Sequence, residues 1–297
     1  MNRPSKELIS EIAQELSVNP SFIEKDFYAV RILKKISSFS CLGYSPVFSG
    51  GTSLSKAYGL IKRFSEDLDF NFYNTMLLTE GQRRTIRHSF VELVSSTENI
   101  TVDGTKAANG GRKETITVSY PKQFETPDQL RDKLQIELFF DPEGNDLIER
   151  REISSFVGLT VPEFAENVNI VCNLPFNIMA DKFNALTWRV YQEDGDFDYT
   201  LMRHLHDLYA LATALEISDQ FKSKVLDNFE KKDKHRLKNQ VPFEEILKET
   251  NRKLAEIKAF KNGYIRFADS MSYAPDNERI TFEAALKKYQ ELSRLFV

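Results

Sequence analysis

Cysteine, tryptophan and histidine are scarce in this chain: 297 residues contain two Cys, one Trp and four His. Cys41 and Cys172 stand alone, outside any CxxC or Cys/His cluster, which excludes a structural zinc site and a disulfide framework. His204 and His206 are two apart and cannot share one helix face, while His88 and His235 read as surface residues, so the histidines offer no metal set and no nucleophile triad. No uninterrupted apolar run reaches bilayer-spanning length, and the opening "MNRPSKELISEIAQEL" is polar with scattered apolar positions; the expectation is a cytoplasmic protein without a membrane segment. A net charge of −4 argues against a globally basic, nucleic-acid-coating surface. One local run, "FKSKVLDNFEKKDKHRLK" at 221 to 238, carries seven basic and three acidic residues; it reads as a solvated helix face to which a bound RNA would be drawn.

What the chain does have is 41% hydrophobic residues against 28% charged, with 23 Phe to fill an interior, and length enough for one large domain or two ordinary ones. Helical spacing is expected over 4 to 16 and 21 to 37, the second with Ile23, Phe27, Val30 and Leu33 inward and Glu24, Lys25, Arg31 and Lys34 largely outside. "SPVFSGG" predicts a short strand and a turn. Leu54, Ala57, Tyr58 and Ile61 then predict a helix, capped by Thr52 or Ser53. "DLDFNFY" alternates as a strand, residues 79 to 95 read as helix, and "KETITVSYP" and "KLQIELFF" read as further strands, with a turn at "NGG", 109 to 111. Beyond about Pro175 the strand signals fade into helices. The expected organisation is therefore a first domain over 1–175 and a helical domain over 176–297.

The chemistry concentrates in "VFSGGTSLSKAYGLIKRFSEDLDF", 47 to 70. Gly50 and Gly51 between strand and helix let backbone amides approach a ligand, and a helix N-terminus favours phosphate. A Walker A loop is excluded, because Ser55 rather than glycine precedes Lys56. Asp67 and Asp69, at i and i+2 on a strand, project the same way and repel unless a cation lies between them; Mg2+ suits such hard oxygen donors and bridges them to substrate phosphates. Farther on, Met179, Phe183, Leu186 and Val190 give a buried helical stripe that leaves Lys182 and Arg189 on another face, where two cations could meet a triphosphate. Leu201, Leu205, Leu208, Ala212 and Leu215 face inward in the next helix. Arg203 and Asp207 form an i, i+4 pair there, whose plain explanation is a surface salt bridge.

Glycine turn followed by Asp-x-Asp is the arrangement hG[GS] with Dh[DE]h of the polymerase-beta-like nucleotidyltransferase superfamily. "GGTSLSKAYGLIKRFSEDLDF" resembles the central motif of the AbiEii/AbiGii-type nucleotidyltransferase toxins. "IEKDFYAVRIL" at 23 to 33 is similar to that family's N-terminal helix, and "LPFNIMADKFNALTWR" with "RHLHDLYAL" resembles its C-terminal motifs, whose lysine and aspartate fall on Lys182 and Asp207. The resemblance implies an α/β (α+β) domain with a mixed sheet, a helical C-terminal domain contributing Lys182 and Asp207, and a site in the cleft between them. It implies transfer of a nucleotide from an NTP to an acceptor hydroxyl with release of pyrophosphate, dependent on Mg2+ or Mn2+, in a toxin restrained by an antitoxin; in some relatives the acceptor is tRNA. Asp67 and Asp69 would hold metal, joined by Glu137 from the strand where the superfamily's third carboxylate arises, and Glu137 would act as base. Gly50, Gly51, Thr52, Ser53, Lys56 and Lys182 would grip the nucleotide. A protein hydroxyl as acceptor, or an inactive interaction module, are the other readings; the intact Gly50, Gly51, Asp67, Asp69, Lys182 and Asp207 argue against the second.

Overall fold

A computed structural model of the protein describes residues 3–127, 130–144, 147–193, 198–234 and 241–297. His235 and the basic run beyond Lys234 lie outside these residues. The chain forms two compact units: Met1–Gly59 with Phe64–Asn173, and Leu60–Arg63 with Leu174–Val297. The division after Asn173 lies close to the expected one at Pro175, whereas the inclusion of Leu60–Arg63 in the second unit has no counterpart in the sequence pattern.

The first unit is a seven-stranded mixed sheet with helices. It contains α1 (Lys6–Glu15), α2 (Pro20–Ile36), β1 (Val47–Ser49), α3 (Gly50–Lys56), β2 (Asp67–Phe72), α4 (Glu80–Ser95), β3 (Thr101–Ala108), β4 (Lys113–Ser119), β5 (Leu134–Phe140), β6 (Ile148–Ile153), α5 (Phe156–Thr160) and β7 (Val168–Asn173). The strand order is β3-β4-β5-β2-β1-β7-β6. β2 runs parallel to β5 and β1 parallel to β7, and the remaining neighbours are antiparallel.

Alternation decides which side of the sheet is buried. Leu68, Phe70 and Phe72 of β2 and Leu134, Ile136, Leu138 and Phe140 of β5 are shielded from water, while Asp67, Asp69 and Gln135, Glu137 alternate with them. Phe90 of α4 lies 5.8 Å from Phe70 and 6.3 Å from Phe72, ring centre to ring centre, so the phenylalanines do fill this interior. α4 begins with a reciprocal capping box between Thr79 and Gln82.

Helix α2 departs from its expected pattern. Pro20 at its first turn and Asn19 as cap start it; Lys34 is exposed as expected, yet Glu24, Lys25 and Arg31 are buried rather than outside, and Asp26 is buried with them. Glu24, Lys25, Asp26 and Arg31 each meet a partner from elsewhere in the chain, Arg3, Glu66, Lys56 and Glu98 in turn, which is the condition for burying a charge.

The second unit is helical: α6 (Pro175–Gln192), α7 (Met202–Ala214), α8 (Asp219–Asn228), α9 (Phe243–Glu256), α10 (Lys258–Met271) and α11 (Phe282–Ser293). Met179, Phe183, Leu186 and Val190 are buried as their spacing predicts. Phe183 stacks on Tyr289 at 5.2 Å and on Phe296 at 5.4 Å. In α7, Leu205, Leu208 and Leu211 are buried, and Leu211 takes the inward place expected of Ala212. Among the described residues no helix is long and apolar enough to cross a membrane.

Candidate active site

β1 is buried along its whole length, and at its end Gly50 turns the chain with φ +75, a conformation L-residues rarely adopt. A Cβ placed on Gly50 would lie 1.9 Å from Asp69 Oδ2, because β1 and β2 pair with Ser49 opposite Asp69. The glycine is therefore needed twice: for the turn, and for room to hold the Asp69 carboxylate against it. Thr52 ties the same turn to β2, its hydroxyl donating to the backbone oxygen of Asp67 at 2.5 Å. That bond replaces the expected cap: Ser49 is the N-cap of α3, without a side-chain capping bond.

Helix α3 ends at Lys56, earlier than the Leu54–Ile61 spacing predicts, and the left-handed Gly59 lies just beyond. Ser53 is wholly buried, as is Leu54. Lys56 does not point to solvent. Its ammonium pairs with Asp26 Oδ1 at 2.5 Å and lies 3.6 Å from the centre of the Phe156 ring, and Asp26 also accepts the Phe156 amide at 2.8 Å. Burial pushes the Asp26 carboxyl up and the Lys56 ammonium down, in each case against the pull of the other. The pair thus links α2 to α3 and α5 behind the glycine turn, and the structure gives Lys56 a bracing contact.

Asp67 is paired with Arg131, whose guanidinium also donates to Gln135 Oε1 at 2.7 Å. The β2–β5 register sets Asp69 opposite Glu137, and Glu137 pairs with Lys113 of β4 at 3.0 Å. Among the described residues no group of three or more His, Cys, Asp or Glu converges as a metal cluster, so the three carboxylates expected to share a metal are adjacent in register rather than gathered. Asp67 and Asp69, alternating with buried Leu68 and Phe70, offer the hard oxygen donors a divalent cation would take.

The second unit holds a different constellation. Asp207 is completely buried in α7, and Arg63 grips it with both arms of its guanidinium, Nε to Oδ1 at 2.7 Å and NH2 to Oδ2 at 2.6 Å. Lys182 Nζ lies 2.8 Å from Oδ2, and His206 Nδ1 3.4 Å from Oδ1. Burial alone would raise the Asp207 carboxyl, but Arg63 and Lys182 hold it well below the usual carboxylate range. Burial lowers the Lys182 ammonium despite Asp207, and burial with Lys182 and Arg203 nearby keeps His204 well below an ordinary imidazole. The expected surface pair of Asp207 with Arg203 is corrected to a buried carboxylate held by Arg63 and Lys182. Arg189 of the same helix as Lys182 pairs with Asp198 at 2.6 Å.

Sequence spacing brought out Lys182 and Asp207 but not Arg63, Arg131, Lys25 or Glu66. Arg63 and Glu66 lie inside "KRFSEDLDF", beside the aspartates; their partners are far away in the chain.

Over 96% of this chain and 99% of the other, at 17% identity and a TM-score of 0.53, the fold is similar to that of MenT4, a nucleotidyltransferase toxin from Mycobacterium tuberculosis H37Rv. Residues 31–288 match the family described as nucleotidyl transferase AbiEii toxin, type IV toxin–antitoxin system, and the chain belongs to that family. No curated protein matches it.

Proposed function

We propose that the protein transfers a nucleotide from an NTP to a hydroxyl of an RNA acceptor, with tRNA as the first candidate, and that this activity is restrained by a cognate antitoxin. The observation that carries the reading is the fit of Gly50 against Asp69: a strained turn is kept where a carboxylate needs the space, at the start of a helix. The acceptor hydroxyl oxygen bonds to the α-phosphorus, the bond from that phosphorus to the bridging oxygen breaks, and pyrophosphate leaves with the electron pair. Glu137, across the register from Asp69, takes the hydroxyl proton. Asp67 and Asp69 would hold Mg2+ or Mn2+, with Glu137 as a further ligand, and the cation would neutralise charge on the triphosphate. Amides of the turn at Gly50, Gly51, Thr52 and Ser53 face the phosphates; Lys56 supports the turn through Asp26. In the second unit Asp207 fixes the Lys182 ammonium at 2.8 Å. The antitoxin is supported by the family, a type IV toxin–antitoxin system, and the RNA acceptor by the resemblance drawn from the sequence motifs.

The test is incubation with each labelled NTP, Mg2+ and total RNA. Label enters RNA with the wild type and is lost with Asp69→Ala, whose melting temperature stays close to wild type. Full transfer by Asp69→Ala would sink the assignment, and label in protein instead of RNA would replace the acceptor.

A further inference from the structure

Arg131 reaches Asp67 from a backbone that is itself fixed. Its amide donates to Glu66 Oε1 at 2.8 Å, its carbonyl accepts from Lys25 Nζ, and Lys25 pairs with the same Glu66 oxygen at 2.7 Å. Lys25 and Glu66 are shielded, at 5% and 13% side-chain exposure, while the arginine is 40% exposed. An ordinary surface arginine loses side-chain entropy when it pairs and gains little. Here a shielded lysine–glutamate pair holds both backbone groups of Arg131, so the guanidinium is delivered to Asp67 Oδ1 and Gln135 Oε1. Helix α2, the carrier of Lys25, thereby acts on the aspartate through Glu66 and Arg131.

A divalent cation at Asp67 needs the carboxylate that Arg131 now neutralises. We propose that Arg131 is a built-in counter-ion of Asp67, displaced when the divalent cation arrives, and that Lys25 and Glu66 are the residues that position it. The inference rests on the reading that Asp67 and Asp69 hold that cation. A positive group is already held against Asp67, which shows that this carboxylate is arranged to face positive charge. Because the Arg131 backbone is fixed, the displaced guanidinium stays within one side-chain length of the site, where an arginine matches phosphate oxygens.

The experiment titrates Mn2+ alone into the full chain, followed by electron paramagnetic resonance, and needs no turnover. Arg131→Ala is expected to bind Mn2+ about two- to fivefold more tightly than wild type, the worth of a partly exposed ion pair that no longer competes. Arg131→Gln carries the same expectation if the alanine variant does not fold, and Glu66→Gln shifts affinity the same way by less. Asp69→Ala abolishes the binding. Unchanged or weaker Mn2+ binding in the Arg131 variants, with Asp69→Ala still abolishing it, overturns the counter-ion role and leaves the cation site standing. Mn2+ binding that survives Asp69→Ala unchanged overturns both.

Discussion

The two units use aspartate in opposite ways. Asp69 is partly open to water on its strand and pressed against a glycine that makes room for it, while Asp67 on the same strand is shielded and paired with a half-exposed arginine. Asp207 has no exposed surface and is enclosed by a bidentate arginine and a lysine. A carboxylate that must accept a ligand needs vacant valence and access; one that fixes neighbouring side chains needs the reverse. The helical unit uses the residue type for internal order, and the proposed function uses it for binding in the sheet unit.

The comparison breaks most visibly at Asp207. Asp207→Ala leaves Arg63 and Lys182 buried without their shared anion, and loss of one partner of a buried pair costs about 3–5 kcal/mol. Chemical denaturation should show that loss. The acid limb has a definite sign. The folded Asp207 carboxyl lies well below its ordinary value of 3.8, so its contribution is complete above that pH and disappears as pH falls through the folded value. His204 is also held well below its ordinary value of 6.5; the unfolded chain takes up that proton first, and stability starts to decline once pH drops under 6.5. An acid titration should therefore show a shallow decline beginning near the imidazole range and a steeper one below 3.8, the latter missing in Asp207→Ala.

A middle-sized effect is expected at Gly50. An alanine there faces a left-handed turn costing about 1–2 kcal/mol, and its methyl displaces the Asp69 carboxylate. Displacement of a catalytic group by about 1 Å can lower turnover on the order of a hundredfold, so transfer should fall far more than stability. Combining Gly50→Ala with Asp69→Ala should cost less stability than the two single changes added, because the clash goes with the carboxylate. Strict additivity in a denaturation cycle would contradict the steric account.

These contrasts explain what the sequence disclosed and what it withheld. The alternation of Leu68, Phe70 and Phe72 with the aspartates was legible, because side-chain direction on a strand has period two. The stripe of Met179, Phe183, Leu186 and Val190 was legible for the corresponding helical reason. Glu24, Lys25 and Arg31 were misplaced, since charges off the apolar stripe look like a wet face until their partners are known, and those partners, including Gln123, Glu66 and Glu98, come from loops. Lys56 itself lies one turn into α3, where spacing suggests solvent and only tertiary packing supplies Asp26 and Phe156. β6, "IERREI", alternates charge with charge for four residues and gives no hydrophobic period to read. Arg63 was hidden because its segment lies in the first unit's stretch of chain but packs with the second unit.

The smallest stability effect, and the sharpest separation of the two kinds of aspartate, is expected for Asp67→Asn. The pair with Arg131 is partly buried, the arginine at 40% and Asp67 at 9% side-chain exposure, so its loss amounts to about 1 kcal/mol and less at high salt. The bond from Thr52 goes to the backbone oxygen of residue 67 and survives the substitution, as does the strand register with Gln135. The amide keeps the shape of the carboxylate but loses the charge a divalent cation requires. Melting curves at low and high salt should therefore nearly coincide with wild type, while nucleotide transfer is lost. A destabilisation as large as that of Asp207→Ala would show that Asp67 also serves internal order, and the division of labour between the two units would fail.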